Sequence, residues 1–170
     1  MAADQSASCS INLALLSTIH SVRRLTLEDV DAIYELCRFN TLFYQYHPPF
    51  VTRESILEDM LALPPSKTMA DKYYLGFYKE RVLVAVMDLI AGYPDEQTVW
   101  IGFFMTAVQQ QRKGVGSSLI QQLSVQLKKE GFQRIRLGVD HGNPQSLAFW
   151  QKNGFSVIRN DHFLVMERML

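Results

Sequence analysis

Three apolar runs stand almost back to back in this chain: KYYLGFY (72–78), RVLVAVMDLIA (81–91) and TVWIGFFM (98–105). Only KE separates the first from the second, and a polar dipeptide that short implies a hairpin. GYPDEQ, with its Gly and Pro turn signals, leads into the third. The second and third runs are rich in β-branched and aromatic residues, the composition of strands buried on both faces. A sheet is therefore the fixed centre of the fold.

The flanking segments read as helices and further strands. SVRRL is a short first strand. Thr26 is a good N-cap, followed by Glu28 and Asp29 where the helix dipole favours acids, and by Val30, Ile33, Tyr34 and Cys37 at helical spacing. YQYHPPF breaks the chain. Thr52 caps a second helix carrying Ile56, Leu57, Met60 and Leu61, which ends before Pro64 and Pro65. SSLIQQLSVQLKKEG places Leu119, Ile120, Leu123 and Leu127 on one stripe, with Gly131 as C-cap. RIRLGV is a strand, NPQSLAFWQKN a short helix ending near Gly154, and FSVI and FLVMERM close the chain as strands. The order is βααβββαβαββ. It specifies an α/β single domain: a mixed, mostly antiparallel sheet of about six to seven strands flanked by about four helices.

At 170 residues and 48% hydrophobic, the chain suits one core and leaves little room for two. Residues 21–170 are expected to form that domain, and residues 1–20 an N-terminal extension with a disordered character. The early run INLALLSTI is too short to span a bilayer and lacks a basic flank. Lys plus Arg equals Asp plus Glu at 17 each, so net charge points to neither nucleic acid nor membrane. Cys9 and Cys37 form no disulfide framework, no metal-ligand spacing is present, and a cytoplasmic setting is expected. Locally the charge is uneven: Arg112, Lys113, Lys128, Lys129, Arg134 and Arg136 face one acid, Glu130, which suits either an anion site or a solvated basic face.

QQQRKGVGSS (109–118) lies between the third apolar run and the Leu119 helix. A helix start offers unpaired N–H groups and a positive dipole end, and glycines before it let a ligand approach the backbone. Strand, glycine turn and helix start thus make a phosphate cradle, which Arg112 and Lys113 would strengthen. Neither the P-loop nor the dinucleotide fingerprint is present. An ordinary turn is the alternative.

With NPQSLAFWQKNGF (143–155), this stretch resembles the GCN5-related N-acetyltransferase (GNAT) family. The family's Q/R-x-x-G-x-G/A turn is matched by Gln111, Gly114 and Gly116. Its later helix, N-x-x-A-x-x-L/F-Y-x-K-x-G-F, is matched at Asn143, Ser146, Phe149, Trp150, Lys152, Gly154 and Phe155. The resemblance covers roughly residues 21 to 168. It implies acetyl-CoA as cosubstrate, no metal, and transfer to a primary amine by direct attack in a ternary complex. Amides of Arg112, Lys113, Gly114, Val115, Gly116 and Ser117 would hold the pyrophosphate. Phe104, Met105 and Thr106 would pair with the pantetheine arm like an added strand, with an N–H near Met105 facing the reacting carbonyl. Asn143 and Ser146 would contact the cofactor or start the last helix.

Two departures stand out. Trp150 occupies a position where the family often has Tyr, and an indole is no acid near neutral pH. It would pack along the cofactor or in the core. No acid lies in TVWIGFFMT, so Asp88, a lone charge in the second apolar run, is the substitute base, unless it pairs with Arg81 or Arg136. Asp140, His141, Tyr93, Pro94, Tyr46 and His47 are loop residues that would line the acceptor side. The acceptor is expected to be a small-molecule amine. An acyl-CoA sensor without catalysis and a protein acetyltransferase, on Lys or N-termini, are the alternatives. The last strand, FLVMERM, would supply the interface of a possible homodimer.

Overall fold

The computed structural model describes residues 10–170. Its centre is a seven-stranded sheet in the order β1-β2-β3-β4-β5-β7-β6. The strands are β1 (Ser21–Arg24), β2 (Lys72–Lys79), β3 (Val82–Ala91), β4 (Thr98–Thr106), β5 (Arg134–Val139), β6 (Ser156–Asn160) and β7 (Leu164–Met169). β4 and β5 run parallel, and the other neighbours antiparallel. The hairpin expected at KE is present, and Glu80 takes a left-handed φ of 56° there. β3 is buried along most of its length, as its composition requires. β4 is less so: Trp100, Phe103 and Phe104 are half-buried and Gly102 is exposed.

Among the described residues, five α-helices cover the sheet: α1 (Val30–Cys37), α2 (Thr41–Tyr46), α3 (Arg53–Leu61), α4 (Val115–Lys129) and α5 (Pro144–Lys152). α2 is additional to the four expected. Its six residues end just before His47 and the two prolines, so YQYHPPF terminates a helix instead of only breaking the chain. The Thr26 cap holds: its backbone N–H donates to Asp29 Oδ2 at 2.7 Å, which starts the short turn feeding α1. Thr52 and Ser55 form the equivalent reciprocal cap on α3.

One face of the sheet packs on α4 and α5. Leu119, Ile120, Leu123 and Leu127 are each at most 1% exposed, against Met87, Leu89, Val99, Ile101 and Ile135. Removing each such leucine from water contributes about 1.5–3 kcal/mol, so the α4 stripe anchors the helix whose start forms the glycine turn. The opposite face packs on α1 and α3 through Ile33, Cys37, Ile56 and Met60, against Tyr74, Val86 and Met105. The chain before β1 belongs to the first layer. Leu16 is fully buried, Ile11 is 5% exposed, and the Ile11 N–H donates to the Tyr73 hydroxyl at 3.1 Å. Of the expected extension, residues 10–20 are thus packed on the domain, and Cys9 with the rest of 1–9 lies outside the described residues.

The last strand is not the sheet edge. β7 lies between β5 and β6, so the exposed edge that FLVMERM was expected to offer belongs to β6.

Candidate active site

β4 and β5 pair only as far as Ile101 and Leu137, yet β4 continues to Thr106 and β5 to Val139. The strands part there, and a bulge fixes what β4 presents to the gap. The β3–β4 register shifts between Asp88 and Leu89, so Gly102 and Phe103 together oppose one stretch of β3. Beyond the bulge, Ala107 N–H donates to Val84 O at 2.8 Å, and Val86 stands opposite Met105. Antiparallel pairing alternates, so the Met105 N–H faces β3. The groups turned toward the gap are those of Phe104 and Thr106. Of the backbone N–H groups near Met105, those turned to the gap thus belong to its two neighbours.

At the end of β4 the chain turns into α4. Gly114 caps the helix with a left-handed φ of 78°, and Arg112 is left-handed too, at 59°. A side chain at Gly114 would meet nothing within 4 Å, so the turn is open to an incoming group. The amides of Val115, Gly116 and Ser117 belong to the first turn and have no intrahelical acceptor. Arg112 and Lys113 are exposed beside them. A Cβ at Gly116 would lie 3.3 Å from the Phe149 ring and 3.6 Å from Thr106, so this glycine lets helix, strand and α5 meet. The donor set and the open cradle fit a pyrophosphate, and the unpaired strand edge fits an amide-bearing arm.

Side chains lock this arrangement. Gln111 Nε2 donates to Asn40 Oδ1 at 2.5 Å, while the Asn40 amide donates to Leu36 O at 3.1 Å and Thr106 O at 3.3 Å. Gln111 therefore ties the glycine turn to the α1–α2 junction. Asn153 Nδ2 donates to Ser117 Oγ at 3.2 Å and to Phe149 O at 2.9 Å, joining the end of α5 to the start of α4. Asn143 is 5% exposed and caps α5: its Oδ1 accepts from Ser146 N at 3.1 Å and its Nδ2 donates to Ser146 Oγ at 3.0 Å. Both Asn143 and Ser146 act first on each other. Asn40 and Asn153 escaped the sequence reading, because a buried amide that bridges distant segments has no local signature.

Trp150 is 8% exposed and packs with Phe149 and Phe155 at 5.0 Å and Phe104 at 6.0 Å between ring centres. It is a core aromatic that backs the gap through Phe104. Truncating it to Ala is expected to cost about 3–5 kcal/mol of stability, and Trp150→Phe to retain acetyl-CoA binding within a few-fold. Chemical denaturation and titration calorimetry check both.

Asp88 is paired, though with neither arginine considered from sequence. Its Oδ2 accepts from Lys72 Nζ at 2.9 Å, and that ammonium also donates to Ala62 O at 2.9 Å. Arg136 bonds Glu167 at 2.7 Å instead, and Arg81 is exposed in the hairpin turn. Burial raises the Asp88 carboxyl to about 6, against the pull of Lys72. Its Oδ1 is buried with no hydrogen-bond partner among the described residues, and Gly102 lacks a side chain where Asp88 Oδ2 would be 2.6 Å from a Cβ. The pair thus supports the bulge from beneath.

Beside the parted strands lies a cavity of about 240 Å³, walled by Phe43, Tyr44, Tyr74 and Phe103 with Cys37 behind. Burial raises the Tyr44 and Tyr74 phenols well above their ordinary value and the Cys37 thiol to about 12. These groups therefore stay protonated near neutral pH. His47 Nδ1 lies 2.9 Å from Asp140 Oδ2, joining the end of α2 to the loop after β5 across this region. His141 turns away to Asp161 O at 2.8 Å. Tyr46 is half-buried outside the wall. Tyr93 and Pro94, joined by a cis bond, sit where β4 begins, at the other end of the strand; Tyr93 reaches back only through Trp100, at 5.9 Å.

A family model described as Acetyltransferase (GNAT) family matches residues 30–155, well over half of the chain. The chain belongs to the GNAT family. It is thereby an acetyl-CoA-dependent N-acetyltransferase. Among solved structures, the PaiA N-acetyltransferase of Thermoplasma acidophilum, in complex with coenzyme A, is similar at 21% identity. Its TM-score is 0.68, over 89% of this chain and 99% of that one. An acetyltransferase of Thermus thermophilus is similar at 18% identity and TM-score 0.75, over 89% and 97%. The ribosomal-protein-S18-alanine N-acetyltransferase of Escherichia coli is similar at 15% and 0.63, over 88% and 93%. At these identities the likeness concerns the fold. No curated protein matches the chain. No described helix is long and apolar enough to cross a membrane, and no group of three or more metal-binding side chains occurs among the described residues.

Proposed function

We propose that this acetyltransferase acetylates a primary amine on a small molecule. The observation that carries the reading is the walled cavity of about 240 Å³ beside the parted strands. Its volume and its aromatic wall of Phe43, Tyr44, Tyr74 and Phe103 suit a compact amine. Acetyl-CoA supplies a thioester already activated toward amines. In this reading the amides of Val115, Gly116 and Ser117 bind the pyrophosphate at the positive end of α4. Backbone groups of Phe104 and the Thr106 N–H orient the pantetheine arm along β4, the Thr106 carbonyl being engaged by Asn40, and the aromatic wall excludes water from the acceptor. Asp88, engaged with Lys72, supports the strand and is not assigned the base. Trp150 is not assigned the acid. The enzyme is placed in the cytoplasm as part of the same proposal.

Thiol release with acetyl-CoA tests the reading across small primary amines, a peptide with a free N-terminus and a peptide whose only amine is a Lys side chain. Turnover of small amines well above both peptides is expected. Faster turnover of either peptide would overturn it. Tight binding of acetyl-CoA without turnover of any amine would support a sensor instead.

A further inference from the structure

The charge of the acceptor cavity is as informative as its size. Its lining includes two carboxylates, Glu58 and Asp59 on α3, and His47 at the end of α2, but no Lys or Arg. The nearest buried ammonium, Lys72, is already engaged by Asp88 and by Ala62 O. Among the described lining residues, His47 is thus the one group able to carry a positive charge, and it is held against Asp140. Asp59 reaches solvent at the rim, yet its flank is dehydrated enough to raise its carboxyl above the ordinary range, against the pull of His47 and Lys72. Between this rim and the parted strands stand the rings of Phe43, Tyr44, Tyr74 and Phe103. Phe103 adjoins Phe104, whose backbone faces the gap.

We propose that Asp59 is a specificity-determining residue, and that the cavity selects amines that arrive as ammonium ions on an apolar or aromatic body and carry no carboxylate. This rests on the small-molecule reading above. An ammonium is drawn to the anionic rim, and the electron-rich ring faces favour the same charge. A carboxylate on the acceptor meets Glu58 and Asp59 as like charges near low-dielectric walls. An amino acid is then a poorer acceptor than the amine it would give on losing its carboxyl group.

The probes are 2-phenylethylamine and phenylalanine, which share a ring and a primary amine and differ in one carboxylate. Acetylation of 2-phenylethylamine with kcat/KM at least tenfold above phenylalanine is expected. Asp59→Asn should raise KM for 2-phenylethylamine several-fold with kcat nearly unchanged, and added salt should raise the wild-type KM toward that of the variant. Unaltered acetyl-CoA affinity and melting temperature would confirm that the variant is folded. Equal turnover of the two probes, or an Asp59→Asn variant with unchanged KM, would overturn this inference and leave the small-molecule reading standing. Turnover of peptides with neither probe accepted would instead overturn both.

Discussion

Gly114→Asp is expected to weaken acetyl-CoA binding more than tenfold, while Gly114→Asn weakens it only slightly. Both side chains are of one size, and neither meets an atom within 4 Å of the added Cβ. Both must also adopt the left-handed φ of 78°, which Asn and Asp tolerate better than other side chains. The two variants therefore share their backbone strain and differ in one charge. That charge would sit at the helix start, where the proposed reading puts the phosphates. At about 4 Å, like charges repel by roughly 1 kcal/mol in water and about 4 kcal/mol near a protein surface, and a tenfold loss needs only about 1.4 kcal/mol. Titration calorimetry at low and high salt reads the effect, and the gap between the variants should narrow as salt screens it. Equal affinities for the two would mean that the pyrophosphate does not bind here. Gly116→Asp is a less clean probe, since its Cβ would press on Phe149 at 3.3 Å.

The glycine turn at the start of α4 was legible because its determinants are local. A strand, a glycine turn, flanking cations and an apolar stripe follow each other within about thirty residues, and each has its own signature. The helix caps at Thr26 and Thr52 were legible for the same reason. α2 was not: its six residues, TLFYQY, span fewer than two turns and are mostly apolar or aromatic, so no polar face marks a helical period.

Bulges hid most of the rest. Gly102 inside WIGFFM was the available signal, because an isolated glycine in a strand marks a bulge. Read so, it would have reversed the alternation beyond it and assigned the gap-facing groups to Phe104 and Thr106. A second irregularity, between Phe77 and Tyr78, shifts the β2–β3 hairpin by one residue. Counting from the two-residue turn without it sets Asp88 opposite Tyr73. In the folded sheet Asp88 stands opposite Tyr74, with Lys72 two residues along on the same face. The partner of Asp88 thus depended on a shift that no residue in the hairpin announces. Asp59 and His47 needed still more, since only the packing of α2 and α3 brings them to one cavity.

That hidden pair carries a stability effect as large as any expected in the molecule. Lys72→Met should destabilise the fold by about 3–5 kcal/mol at pH 8 and by distinctly less at pH 5. The pH dependence follows from Asp88, whose carboxyl is raised from 3.8 to about 6. A carboxyl raised by folding favours the folded state fully below its unfolded value, near pH 4, and that contribution is lost as pH rises through about 6. At pH 8 the wild-type carboxylate is ionised and held by Lys72 at 2.9 Å, in a site where the two side chains are 10% and 2% exposed. Removing the ammonium leaves Asp88 two choices, an unpaired buried charge or a proton taken up against the bulk pH, and both are unfavourable. At pH 5 the carboxyl is already largely protonated, so the variant loses mainly the bond to Ala62 O and some stem packing. Urea denaturation at the two pH values, followed by tryptophan fluorescence, measures the difference. Adding Asp88→Asn to Lys72→Met removes the charge that had no partner, and should return most of the loss at pH 8 while changing little at pH 5. A loss equal at both pH values, or one that the second substitution fails to relieve, would assign the role of Lys72 to packing rather than to the pair beneath the bulge.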